Sequence, residues 1–192
     1  MKVFDFDNTL YDGESLVDFF EFLCDKKDEL RKYKKLVKIM LKLYEMNMLP
    51  TSLIKKELNK HKNDVSFNTN NIDKYVNEFW DKNKHKLNKD LIKLINKDDL
   101  IITASLDVLL NPIRKELKTK HIISSIANIE KKDIDFICYK ENKVLKYKEL
   151  YKEELIDVLY TDSYADKPLM DISKKVILID KKTKEMKVIK GE

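Results

Sequence analysis

The sequence predicts an α/β fold: a parallel sheet covered by helices on both faces, with an all-helical block inserted after the first strand. Three observations carry this. Short, compact apolar runs bounded by turn residues alternate with helix-length segments through the second half of the chain, as buried parallel strands do. One such run also opens the chain. Between it and the next run, apolar residues recur at helical spacing with no strand signal.

The elements follow in order. Residues 2–6 read as a strand with acids at its carboxyl end. Ser15-Leu16-Val17-Asp18 has the form of a capping box and opens a helix carrying Phe19, Phe20, Phe22 and Leu23. Residues 28–48 carry Leu30, Tyr33, Leu36, Ile39, Met40, Leu43 and Tyr44 at helical spacing, and Pro50 ends that helix. A third helix is predicted over residues 51–61, a polar turn-rich stretch over 62–71, and a further amphipathic helix through Ile72, Tyr75, Val76, Phe79, Trp80 and Leu87.

The pattern then changes. Residues 100–103 form an apolar run behind the turn Lys97-Asp98-Asp99 and read as a buried strand. Ile122 and Ile123 begin another, and residues 135–138 are expected to pair as a hairpin with 125–128. Residues 148–156 look helical, 157–161 form a strand ending at Asp162, 176–179 form a last core strand, and 186–189 return as a hairpin. The expected division is a core of residues 1–13 and 89–192, with 14–88 as a helical cap.

At 192 residues the chain has room for one ordinary domain or one domain with a large insertion. The net charge of +5 comes from 39 basic and 34 acidic residues interleaved along the chain. It reads as a solvated surface that suits an anionic ligand, and not as a nucleic-acid footprint. Cys24 and Cys138 stand far apart, which predicts free thiols in a reducing compartment. No signal peptide and no bilayer-length apolar run is recognisable, so the expectation is a cytoplasmic protein without a membrane partner.

Open parallel sheets place ligand sites at the carboxyl ends of their strands. Three polar clusters fall there: Asp5 and Asp7, then Thr103 and Ser105, then Asp162 and Asp166, with Lys143 between the last two. Acids, a hydroxyl and an ammonium at one sheet edge point to Mg²⁺ and phosphate. Mg²⁺ takes hard oxygen ligands and keeps several waters, so two carboxylates and a carbonyl suffice. Phosphoryl oxygens need donors such as a threonine, a lysine and backbone N–H groups.

The order DFDNT, IITAS, a lysine, then YTDSYAD resembles the four motifs of the haloacid dehalogenase superfamily of phosphatases. The stretches YDGES, TASLDVLL and DSYADKPL are similar to those of its phosphoserine-phosphatase-like branch, which carries a helical cap after the first motif. The resemblance spans essentially the whole chain and implies a Rossmann-like core and a Mg²⁺-dependent phosphomonoesterase acting on a small phosphorylated metabolite. It implies Asp5 as the nucleophile forming an aspartyl-phosphate, and Asp7 as the acid and base, its carbonyl also binding Mg²⁺. It further implies Thr103 as a phosphoryl ligand, Lys143 as the neutralising cation and Asp162 as a metal ligand. Asp166 would hold a metal-bound water or Lys143. Glu14 falls where phosphoserine phosphatases place an acid that meets the substrate amino group.

Several alternatives stay open in the sequence. Ser105 competes with Thr103 for phosphate, and Asp166 could be a helix N-cap. Lys140, Lys146 and Lys148 compete with Lys143, which is preferred because related chains show a GEEKV-like string there; Lys140 replaces its glycine. Leu106 stands where the family's second motif has proline. Arg31 reads as a solvated helix residue, Phe19, Phe20, Phe79 and Trp80 as core, and His61 and His85 as surface residues without spaced acids. The competing functions are phosphotransfer through the same intermediate, a receiver-like signalling domain, which the long helical insertion disfavours, and a non-hydrolytic phosphate- or nucleic-acid-binding protein.

Overall fold

The computed structural model describes residues 1–46, 48–61 and 71–192. Its centre is a seven-stranded sheet in the order β4-β3-β2-β1-β5-β6-β7. The strands are β1 (Lys2–Phe4), β2 (Leu100–Leu106), β3 (His121–Asn128), β4 (Asp133–Phe136), β5 (Ile156–Thr161), β6 (Ser173–Ile179) and β7 (Met186–Lys190). The five middle strands run parallel. β4 and β7 pair antiparallel at the two edges. From β1 the chain builds outward to β2 and β3, then returns to the other side of β1 with β5. The carboxyl end of β1 therefore sits at the switch point of the sheet, where such folds open a crevice.

Side chains alternate across the sheet, and two apolar clusters result. Phe4 and Ile101 join Phe19, Phe22, Phe79, Trp80, Leu109 and Leu110 on one face. Val3, Leu100 and Ile102 join Tyr147, Leu159, Leu169 and Val176 on the other. The first face is covered by α1 (Ser15–Lys26), α4 (Ile72–Asn83) and α6 (Asp107–Leu110), the second by α7 (Glu141–Tyr151) and α8 (Lys167–Asp171). Trp80 is buried, and its indole N–H donates to the Leu109 carbonyl at 2.6 Å. That bond ties α4 to the segment after β2. The rest of the helical block is a 3₁₀ turn (Asp28–Tyr33), α2 (Lys34–Glu45) and α3 (Thr51–His61); α5 (Lys89–Lys93) follows α4.

Local structure departs from the expectations at a few points. The opening strand stops at Phe4, because the Phe6 carbonyl accepts from the N–H groups of Thr9, Leu10 and Tyr11 and turns the chain. Ser15 is the first residue of α1 and not its cap, and Glu14 offers no side-chain cap bond. The Asp7 carboxylate takes the Ser15 N–H instead, at 2.7 Å. Asp18, the other half of the supposed box, accepts from Tyr11 Oη at 2.7 Å and Lys86 Nζ at 2.8 Å. The periodic stretch from residue 28 begins as 3₁₀ turns before α2. The helix placed at 148–156 lies at Glu141–Tyr151, and Ile156 is fully buried as the first residue of β5. The turn-rich stretch at 62–70 lies outside the described residues.

A turn explains that last boundary. Lys152 has φ 56° and ψ −125°, and Glu154 N–H donates to the Tyr151 carbonyl at 3.2 Å. This is a type II′ turn with lysine at the position that favours glycine. Lys140 repeats it before α7, with φ 51°, ψ −123° and a bond from Asn142 N–H to the Tyr139 carbonyl at 3.1 Å. Replacing Lys152 by glycine relieves the strain at some entropic cost to the folded state. Lys152→Gly should raise the unfolding free energy in urea by about 1 kcal/mol; a lower value would show that lysine sits there without strain.

Candidate active site

The segment after β1 is built by backbone geometry. Asp5 N–H continues the ladder to the Tyr160 carbonyl at 2.9 Å, which holds Asp5 at the end of the strand. Asn8 has φ 55°, a left-handed conformation that asparagine tolerates. Its N–H donates to the Gly13 carbonyl at 3.0 Å, closing the loop. Gly13 has φ 136°, and a Cβ there would meet Asp18 Oδ2 at 2.9 Å, so glycine is required. The chain leaving this loop runs beside the chain returning from α4: Asp12 N–H donates to the Lys86 carbonyl and Asn88 N–H to the Leu10 carbonyl.

The structure brings Asp5, Lys143 and Asp166 together in one buried array. Lys143 Nζ lies 2.7 Å from Asp5 Oδ1 and 2.7 Å from Asp166 Oδ1. Asp166 Oδ2 accepts from Thr161 Oγ1 at 2.8 Å. Both Asp166 oxygens are thus engaged, one on the lysine. As a helix cap Asp166 contributes no side-chain bond. Among the rival lysines, Lys146 pairs with Glu149 at the exposed side of α7, and Lys148 lies 4.0 Å from Glu153. Lys140 Nζ sits over the Tyr139 ring.

Asp7 is held from two sides. Oδ1 accepts the Ser15 N–H, and Oδ2 accepts from Ser105 Oγ at 3.2 Å. Ser105 Oγ also pairs with Ser15 Oγ. Ser105 has one proton and gives it to Asp7, so Ser15 is the donor within the hydroxyl pair. Thr103 is fully buried, and its Oγ1 accepts from Ser105 N–H at 3.0 Å, which leaves the threonine O–H proton free to donate. Both residues lie in a bulge of β2, where its register against β3 shifts between Ile102 and Leu106. Glu14 Oε1 accepts from Asn8 Nδ2 at 2.7 Å. Asp162 Oδ2 lies 3.1 Å from Lys181 Nζ.

Charge balance explains the titration behaviour. Burial pushes the Asp5 carboxyl well above the usual carboxylate range; Lys143 pulls it back, while Asp166 and Asp162 push it further up. Asp7 and Asp162 are raised by burial as well. Burial, with Asp7 next, lifts Glu14 to about 8. Burial opposes the charge on Lys143, but Asp166 and Asp5 outweigh it and its ammonium is stabilised. Burial moves the Cys138 thiol up to about 12, so it is no nucleophile at neutral pH.

Four aspartates thus face two ammoniums, those of Lys143 and Lys181. Among the described residues, no three His, Cys, Asp or Glu side chains converge as a ready-made ligand cage. The donor set nonetheless fits Mg²⁺, which is commonly held by one or two carboxylates together with water and substrate phosphate. The excess negative charge fits a divalent cation, and Lys181 stands in as a cation on Asp162.

A family model described as haloacid dehalogenase-like hydrolase matches residues 3–171. The chain belongs to this family. Solved structures agree on the fold of this haloacid dehalogenase-like chain. A Bordetella pertussis protein of unknown function aligns with a TM-score of 0.75 and 16% identity, over 94% of this chain and 89% of the other. A phosphoserine phosphohydrolase-like protein from Francisella tularensis aligns at 0.56 and 21%, over 93% and 87%. A phosphoserine phosphatase captured as a phospho-aspartyl intermediate analogue aligns at 0.51 and 15%, over 92% and 84%. Comparison with curated proteins gives no match.

Sequence reasoning missed several residues at the site. Lys181 follows the carboxyl end of β6, and the strand-end rule that found the acids could have found it. Tyr44 on α2 feels Glu14, Asp5, Asp7 and Asp166, with burial the first cause of its raised hydroxyl pKa, and its ring lies 5.1 Å from that of Tyr139. Only the docking of α2 reveals this. Conversely, Arg31 is not brought to the site: it binds the Cys24 carbonyl and Asp28. His61, expected to lack an acid, lies 3.5 Å from Glu57 one helical turn earlier, a spacing the sequence does contain. His85 is exposed.

Glu14 gives a pH prediction. Its folded-state pKa of about 8 lies above the ordinary value of 4.5. Its stabilising contribution is complete below the unfolded pKa and is lost as pH rises toward the folded one. In chelator, stability should therefore fall between pH 4.5 and 8, this one group contributing at most about 1.4 kcal/mol per pH unit. Urea titrations at several pH values should show a shallower slope for Glu14→Gln; an unchanged slope would place the titrating group elsewhere.

Proposed function

We propose that this chain is a Mg²⁺-dependent phosphomonoesterase that works through an aspartyl-phosphate. The observation that carries this is the Asp5–Lys143–Asp166 array at the switch point of a haloacid dehalogenase-like sheet. Lys143 engages Asp5 Oδ1, which leaves Oδ2 to attack phosphorus. The new Asp5–phosphorus bond forms as the ester P–O bond breaks. Asp7, whose hold on a proton burial strengthens, would give a proton to the departing alkoxide. It then takes a proton from the water that cleaves the acyl phosphate, releasing inorganic phosphate and restoring Asp5.

The supporting residues follow from their contacts. Thr103 offers its O–H to a phosphoryl oxygen, while its own oxygen is steadied by Ser105 N–H. Ser105 is committed to Asp7, which favours positioning the acid over binding phosphate. Asp166 anchors Lys143 and leaves metal binding to others. Asp5, the Asp7 carbonyl and Asp162 would hold Mg²⁺, with Lys181 released from Asp162. When bound, the cation supplies charge neutralisation to the phosphoryl group. Glu14, on which Asp7 acts, is read as a substrate contact.

Residues 14–88 are read as a cap on a core of residues 1–13 and 89–192. The side-by-side crossing of the leaving and returning chain at Leu10 to Asp12 and residues 86–88 supports that division. Two free buried cysteines agree with a reducing cytoplasm. Among the described residues, no helix is long and apolar enough to cross a membrane.

Phosphate release from a panel of monoesters should require Mg²⁺, stop with chelator, and fall by about 10³-fold or more in Asp5→Asn. Release by Asp5→Asn at the wild-type rate would remove the nucleophile assignment. Asp162→Ala should shift the Mg²⁺ titration to higher concentration at unchanged thermal stability, and an unshifted curve would place the ligand elsewhere. Phosphate appearing only when an alcohol acceptor is absent would mark phosphotransfer.

A further inference from the structure

We propose that a cavity beneath α2 receives the hydrocarbon part of the substrate, so that the preferred esters are monophosphates of long-chain alcohols. This deepens the phosphomonoesterase reading above and rests on it. The cavity has a volume of about 450 Å³, within the roughly 300–1,000 Å³ that small-molecule sites span. Its walls come from α1, α2, α3 and the β3–β4 hairpin, and the lining is apolar through residues such as Phe20, Leu36, Val37, Met40, Ile54 and Ile134. The polar side chains among its lining include Glu57 and His61 of α3 and Asn128, Lys132 and Asp133 of the hairpin.

The lining of the cavity reaches chain neighbours of the residues that hold the reacting groups. Asp7, which protonates the leaving oxygen, is held by Ser15 N–H and Ser105 Oγ, and each holder is followed by a leucine that lines the cavity, Leu16 and Leu106. Ile54 and Ile134 line it as well, and also pack in the cluster of Ala104, Tyr139 and Ala165 beside Thr103 and Asp166. A phosphoryl group on Asp5 would thus turn its alkoxide toward Asp7 and its carbon chain into the void.

Two further observations favour an apolar guest. α2 has an apolar face at Leu36, Val37 and Met40, yet no residue of the helix is buried, because that face looks onto the cavity. Side chains bordering a void lose dispersion contacts that a hydrocarbon chain would restore. The only two arginines also point elsewhere, Arg31 to Cys24 and Asp28 and Arg114 to Asn111, so neither forks onto a substrate carboxylate.

The test uses a series of monoalkyl phosphates from ethyl to decyl, below their micellar concentrations, with the matching alkylphosphonates as uncleavable probes. Wild-type kcat/KM, and phosphonate affinity by calorimetry, should each climb about fourfold per added methylene until the cavity is full. Val37→Trp, which fills the void, should lower the decyl-to-ethyl ratio by at least tenfold. Phosphate release that is independent of chain length, with flat phosphonate affinities, would overturn the cavity assignment and leave the phosphatase standing. Phosphonate affinities that climb while no ester releases phosphate would keep the cavity and overturn the phosphatase.

Discussion

One buried ammonium organises this molecule. Lys143 sits between Asp5 and Asp166, out of water and 2.7 Å from an oxygen of each, and it opposes the push of burial toward the neutral form of Asp5. Removing one partner of such a pair strands the other, typically at a cost of about 3–5 kcal/mol. The sheet supplies the acids from β1 and the segment after β5, and α7 supplies the lysine from the opposite connection. The strand order therefore matters chemically: only with β1 beside β5 do residues 138 positions apart meet. The Thr161 hydroxyl at the end of β5 completes the array by fixing the free oxygen of Asp166.

Asp7 couples the site to the helical block in a different way. Its carboxylate is at once a proton carrier and the acceptor for the first N–H of α1. A negative group at a helix amino end is favoured by the helix dipole, which opposes the effect of burial on its charge. Any shift of α1 would thus alter the acid as well as the packing of Phe19 and Phe22 against Phe79. The hydroxyl pair of Ser15 and Ser105 links the same helix to the bulge in β2.

Much of this was legible in the residues because strand ends announce themselves. Asp5, Asp7, Thr103, Asp162 and Asp166 each follow a compact apolar run, and the sheet brings those ends together. Lys143 needed the resemblance, since four lysines in one helical stretch look alike until burial separates them. The boundaries of α7 were misread because Lys140 and Lys152 hide II′ turns behind a residue that normally marks helix or surface. The capping box failed because a tertiary carboxylate displaced a local hydroxyl. Tyr44 and the apolar cavity were out of reach, since helical periodicity states that a face is apolar and not what it faces.

The two lysine turns belong to a wider habit. Outside its glycines the chain places Asn8, Lys118, Lys132, Lys140, Lys152 and Lys184 at positive φ. Left-handed backbone costs a residue with a Cβ roughly 1–2 kcal/mol, and natural domains hold only about 5–15 kcal/mol in reserve. A fold that spends this much on its turns keeps a narrow margin of mutational robustness. New activities at its acid cluster, which tend to destabilise, would be reached more readily from a background in which those turns had first been changed to glycine.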